Sequence, residues 1–79
     1  MIVYVKLFAG LRQHYPHLGI GEAMPVELAE GTTAGQLLTI LNLPPNLVKV
    51  VFVNGIIRDG NYVLQDGDEV GMFPPVGGG

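Results

Sequence analysis

The sequence has no cysteine and no tryptophan, and serine is absent as well. Without cysteine, neither a disulfide nor a zinc–thiolate site props up the fold, and the chain carries no catalytic thiol or side-chain persulfide. Without serine, no serine-based triad can be assembled. Charge is also scarce: 14% of the residues are Asp, Glu, Lys or Arg, against about 25% in an ordinary soluble domain. Four Lys and Arg face seven Asp and Glu, for a net charge of −3. That balance argues against nucleic acid, whose binding rests on basic side chains meeting phosphates. No apolar run approaches the ~20 residues of a membrane-spanning helix. The opening MIVYVK lacks the basic start of a secretory signal. A soluble, cytoplasmic protein with no membrane partner is expected.

What is present is apolar: 48% of 79 residues are hydrophobic. A chain of this size buries roughly 60% of the surface its unfolded form exposes. That supports one modest core and leaves little room for a deep active-site cleft. Part of the apolar surplus is therefore expected on the surface as a patch, the usual mark of a protein partner.

MIVYVKLFA reads as a strand, with Val3, Val5 and Leu7 on one face and Ile2, Tyr4, Lys6 and Phe8 on the other. Residues 10–23 are irregular, broken by glycines and a proline. A short second strand is expected over Met24 to Leu28. Residues 33–42 form the one convincing helix. Thr33 and Gln36 have capping-box spacing, and Ala34, Leu37, Leu38 and Leu41 make a one-sided apolar stripe. Pro44 and Pro45 end it, and so short a helix must draw its stability from packing on a sheet. VKVVFV (48–53) is the most strand-like stretch. Asn54-Gly55 is a type I′ hairpin pair because both positions accept positive φ, and Ile56 and Ile57 begin the return strand. Glu69 to Phe73 is the last strand. The order β-β-α-β-β-β predicts an α+β domain, a β-grasp (ubiquitin-like) roll in which a mixed sheet packs on one main helix. Residues 1–73 are expected to form the domain and 74–79 a flexible tail.

The side chains offer little chemistry. His14 and His17 could supply two metal ligands, but no third lies at a recognisable interval, and a pair of loop histidines is the plainer reading. No metal site is expected. Asp66, Asp68 and Glu69 lack the further oxygen ligands of a calcium loop. They are read as an exposed turn in which nothing perturbs the carboxylates, with a secondary role in steering towards a basic partner. No phosphate-binding glycine pattern occurs.

The backbone's own end remains. The α-carboxylate of Gly79 is a functional group, and Gly77, Gly78 and Gly79, having no Cβ, form a thread that can enter a narrow channel. Pro74 and Pro75 favour an extended start. The six residues from Pro74 reach about 20 Å, and ordering them costs on the order of 6–12 kcal/mol, less what the prolines save. From the glycines alone, a frayed terminus and a tail built for insertion are equally good readings.

The residues before the glycines break the tie. LQDGDEVGMFPPVGGG resembles the C-terminus found in the MoaD/ThiS sulfur-carrier family, above all in its molybdopterin synthase small-subunit branch. The pattern there is a DGDEV turn and strand, an aromatic, Pro-Pro-Val, one small residue and a terminal Gly-Gly. KLFAGLR (6–12) resembles the family's first strand and exit, GTTAGQLL (31–38) its helix start, and FVNG (52–55) its central strand and turn. Gly77 departs from the usual Thr, Ser or Ala, which should loosen the tail's hinge and leaves the terminal pair intact.

The resemblance implies a carrier that is not itself an enzyme and binds no cofactor. A ubiquitin-activating-type (MoeB-like) partner would use ATP to adenylate Gly79, and a sulfur donor acting through that partner would convert it to a thiocarboxylate. The tail (Pro74, Pro75, Val76, Gly77, Gly78) would then enter a MoaE-like large synthase subunit to build the molybdopterin dithiolene of the molybdenum cofactor. Phe73, with Ile2, Tyr4 and Phe8, is expected to dock the partner. The alternatives are a carrier for another pathway (thiamine thiazole, an amino acid or a tungsten cofactor), a ubiquitin-like protein modifier, or an interaction module without covalent chemistry.

Overall fold

The computed structural model describes residues 1–75. In chain order it holds β1 (Ile2–Leu7), β2 (Met24–Glu27), α1 (Ala34–Ile40), β3 (Val50–Val53), β4 (Ile56–Arg58) and β5 (Glu69–Phe73), with 3-10 turns at Ala9–His14 and Pro45–Leu47. They form one five-stranded sheet in the order β2-β1-β5-β3-β4. β1 and β5 run parallel at its centre, and the other neighbours are antiparallel. This is the mixed β-grasp sheet that the element order predicts.

One sheet face makes the core. Val3, Val5 and Leu7 of β1, Val70 and Met72 of β5 and Val53 of β3 are buried in one cluster with Leu37 of α1 and Leu41, its C-cap. Leu11, Leu28, Leu43 and Leu64 close the edges. Burying side chains of this kind stabilises by roughly 1.5–3 kcal/mol each before entropy is counted. That packing holds a helix of seven residues, too short to persist alone.

The helix is tighter than the expected 33–42. Thr33 is extended and serves as the cap: its side chain accepts the Gln36 N–H, and the Gln36 side chain accepts the Thr33 N–H. At the other end Asn42 turns left-handed (φ 57°). The N–H of Asn42 donates to Thr39 and that of Leu43 to Leu38, a Schellman closure with Asn in the glycine position. The second strand stops at Glu27 rather than Leu28, whose N–H donates to the Met1 carbonyl. The third starts at Val50 rather than Val48, because Pro45 opens a 3-10 turn to which the Val48 N–H still donates. Part of the irregular 10–23 stretch forms the first 3-10 turn, with Leu11 buried beneath it. The hairpin is as expected, with Asn54 and Gly55 at φ 52° and 82°.

Candidate functional site

Among the described residues no helix covers the second sheet face. Alternation along β1 turns Ile2, Tyr4 and Lys6 outward, and the same period in β5 turns Glu69, Gly71 and Phe73 to that side. Register then assembles rows across the strands. Lys6 of β1 and Phe52 of β3 both pair with Gly71, so the glycine lies between them. Phe52 in turn pairs with Ile57 of β4.

Three aromatics meet where β5 ends. The Phe8 N–H donates to the Met72 carbonyl, which carries the first strand's pairing one residue past Leu7. Phe8 and Phe73 then stack in parallel with ring centroids 4.3 Å apart. Phe52 meets Phe73 edge-on at 5.4 Å. Such pairs contribute about 0.5–1.5 kcal/mol beyond area burial, so the cluster holds its shape. With Gly71, Lys6 and Glu69 it lines an open groove of about 510 Å³.

Of the expected docking residues, Ile2 and Tyr4 are 41% and 40% exposed, and Phe8 and Phe73 are half-buried. None is consumed by the core. Ile57, 64% exposed, extends the apolar surface across the sheet. Phe52, Gly71 and Lys6 were not singled out as docking residues from the sequence. The signal available was their alternation, but only the strand register brings them together.

The tail leaves from this cluster. The Phe73 carbonyl accepts the Lys49 N–H at 2.8 Å, and β5 ends there. Pro74 is half-buried and Pro75 exposed, neither in a strand. Val76, Gly77, Gly78 and Gly79 lie outside the described residues.

The acidic turn differs from its expected form. Asp68 is not exposed: only 6% of its surface reaches solvent. Its Oδ1 accepts the Asn54 Nδ2–H and its Oδ2 the Gln65 N–H, each at 2.8 Å. Asn54 Oδ1 in turn accepts the Glu69 N–H at 2.9 Å. Asp66 Oδ1 accepts the Ile2 N–H, and the Gly67 N–H donates to the Ile2 carbonyl. Asp66 and Asp68 thus clamp the start of β5 to β1 and to the hairpin. Glu69 is left on the outer face as the cluster's solvent-facing charge.

His14 and His17 are exposed and border a second open groove of about 320 Å³ with Glu22 and Met24. Among the described residues no group of three His, Asp or Glu side chains is arranged to hold a metal ion. Among them, too, no helix is long and apolar enough to cross a membrane.

The chain matches the ThiS family model over residues 5–79. No curated protein is significantly similar to it. Among solved structures, it is 28% identical to a candidate molybdopterin converting factor subunit 1 from Pyrococcus furiosus, with a TM-score of 0.74 over 96% of this chain and 99% of that one. It is 26% identical to small archaeal modifier protein 1 from Methanosarcina acetivorans, with a TM-score of 0.67 over 99% and 96% of the two chains. It also matches the complex of subunits 1 and 2 of the molybdopterin-converting factor from Helicobacter pylori 26695, at 23% identity and a TM-score of 0.65, over 100% of both chains. That last identity speaks for the fold alone. With a match running from the middle of β1 to Gly79, on a β-grasp sheet, the chain belongs to the ThiS family.

Proposed function

We propose that the chain is a sulfur carrier for molybdopterin dithiolene formation, working from the carboxyl group of Gly79. The observation that carries this reading is the family match reaching Gly79 through Phe73-Pro74-Pro75-Val76. It is supported by an apolar, helix-free sheet face where that segment leaves the fold. The likeness to the Pyrococcus furiosus protein favours the molybdopterin branch.

A carboxylate is a poor electrophile, so it must first be activated. In a MoeB-like partner, a Gly79 carboxylate oxygen attacks the α-phosphorus of ATP and releases pyrophosphate. The terminal sulfur of a persulfide then displaces AMP from the acyl carbon. Cleavage of the sulfur–sulfur bond by a second thiol leaves the thiocarboxylate, and the donor is oxidised to a disulfide. The charged tail next enters a MoaE-like large subunit, which supplies the acid–base groups for transfer to the pterin precursor. This chain's residues bind and deliver. Ile2, Tyr4, Phe8 and Phe73 dock the partner, Pro74 and Pro75 stiffen the approach, and Val76 to Gly79 fill the channel. The setting is the cytoplasm, where ATP is available.

Deleting Gly79 tests this directly. Dithiolene formation in the reconstituted system should vanish while the thermal midpoint stays within about a degree, because the core ends at Met72 and the deletion leaves every core residue in place. Retained activity would refute the reading. A second reading, a protein modifier joined to lysines, is favoured by the likeness to the Methanosarcina acetivorans modifier. Lysine-linked conjugates recovered from native cells, without any thiocarboxylate, would select it.

A further inference from the structure

Of the four asparagines, only Asn54 is followed by glycine. In such a pair the Gly55 nitrogen can attack the Asn54 side-chain carbonyl carbon, because glycine brings no Cβ to hinder the approach. A carbon–nitrogen bond forms, ammonia leaves, and the five-membered imide then opens by taking up water at either carbonyl. The product is aspartate or its β-linked isomer: one amide becomes one acid, and nothing is oxidised or reduced. Crowding does not protect the pair. Both residues are exposed, and a Cβ built on Gly55 would meet no atom within 4 Å.

The hairpin itself restrains the reaction. Asn54 is left-handed, with φ 52°, and the first central residue of a type I′ turn has ψ of about +30°. That ψ sets the Asn54 Cβ nearly opposite the Gly55 nitrogen across the Cα–C bond, whereas the imide ring needs the two side by side. The turn must open before the ring can close. Hydrogen bonds to the start of β5 hold it shut. The Asn54 N–H donates to the Glu69 carbonyl at 2.8 Å, and the Glu69 N–H donates to Asn54 Oδ1 at 2.9 Å. The Asn54 Nδ2–H donates to Asp68 Oδ1 at 2.8 Å, and the Gln65 N–H fixes that carboxylate through its other oxygen.

We infer that Asn54 is a site of spontaneous conversion to aspartate and isoaspartate, and that Asp68 gates it. Local opening of the hairpin tip sets the rate. Conversion is one-way. An aspartate offers Asp68 no N–H, so two carboxylate oxygens would meet where a donor and an acceptor now lie 2.8 Å apart. The isomer adds a methylene to the backbone of a two-residue turn, whose twist then no longer matches its strands. Either product unties the hairpin from β5, the strand that leads into Pro74.

The test follows the amide-to-acid mass change at Asn54 by peptide mapping of the full chain, incubated folded at mildly alkaline pH. Asp68→Asn keeps the shape, but its single acceptor oxygen can serve Asn54 or Gln65 and not both. Conversion at Asn54 should then run about tenfold faster or more than in the wild type. A rate within about twofold of the wild type would overturn the gate, as would conversion confined to other asparagines. If Asp68→Asn does not fold, the wild-type chain decides. Its folded form should convert at least about tenfold more slowly than the same chain in urea, and equal rates would overturn the inference. The consequence has its own check. Asn54→Asp should lower the urea midpoint, and the Asn54→Asp/Asp68→Asn double variant, which exchanges donor and acceptor, should regain part of the loss. A double variant no more stable than Asn54→Asp would contradict the clash.

Discussion

Asp68 holds a carboxylate almost out of reach of water and uses both oxygens, one on the Asn54 side chain and one on the Gln65 N–H. Asn54 completes the link by accepting the Glu69 N–H. One pair of side chains therefore fixes the hairpin tip against the first residue of β5, the strand that ends at the tail. Removing the acceptor strands a buried donor, which costs about 1–3 kcal/mol. Asp68→Ala should lower the stability measured by urea denaturation by that amount, and an unchanged midpoint would mean the network contributes nothing. The sequence showed DGDE as a turn, which it is. It did not show that Asp68 turns inward, because its partner Asn54 lies 14 residues away in a different turn and nothing local announces the pairing.

At the scale of elements, α1 depends on both its ends. Thr33→Ala removes the hydroxyl that accepts the Gln36 N–H and should cost about 1 kcal/mol, read as a lower urea midpoint. Gly35 makes a sharper case. Replacing a helical glycine by alanine ordinarily stabilises by up to about 1 kcal/mol. Here the new Cβ would sit 3.1 Å from the Gly60 backbone oxygen, the same atom that accepts the Gly35 N–H at 3.0 Å. The carbonyl cannot retreat without stretching that bond. Gly35→Ala should therefore destabilise, and a raised midpoint would contradict the close approach. The capping box, the Asn54-Gly55 hairpin and β5 were legible in the sequence because each is written in neighbouring residues. The Schellman closure at Asn42 was not, since asparagine takes positive φ less regularly than glycine and Pro44 and Pro45 mark only where a helix can no longer continue. The strand order, and with it the Lys6–Gly71–Phe52 row, was not legible either. Alternation shows which face a residue takes but not which strand lies beside it.

For the whole molecule, the two sheet faces divide the work. One buries Val3, Val5, Leu7, Val70 and Met72 under the helix, and the other keeps Ile2, Tyr4 and Ile57 exposed around an aromatic cluster. Part of the apolar surplus in the composition lies on that second face, where β5 leads into Pro74 and Pro75, while Ile20, Ile40 and Leu47 are exposed outside the sheet. The docking role of the face and the chemistry of Gly79 are read from family membership and from this placement. The described residues form one sheet-and-helix block whose last strand leads into Pro74 and Pro75 beside the aromatic cluster. The central claim concerns one group, the Gly79 carboxyl. Intact-mass measurement of the protein isolated from its native cells tests it most directly. The account predicts a species heavier by one oxygen-to-sulfur exchange, localised by fragmentation to Gly79. A population carrying only unmodified carboxylate and lysine-linked conjugates would contradict it.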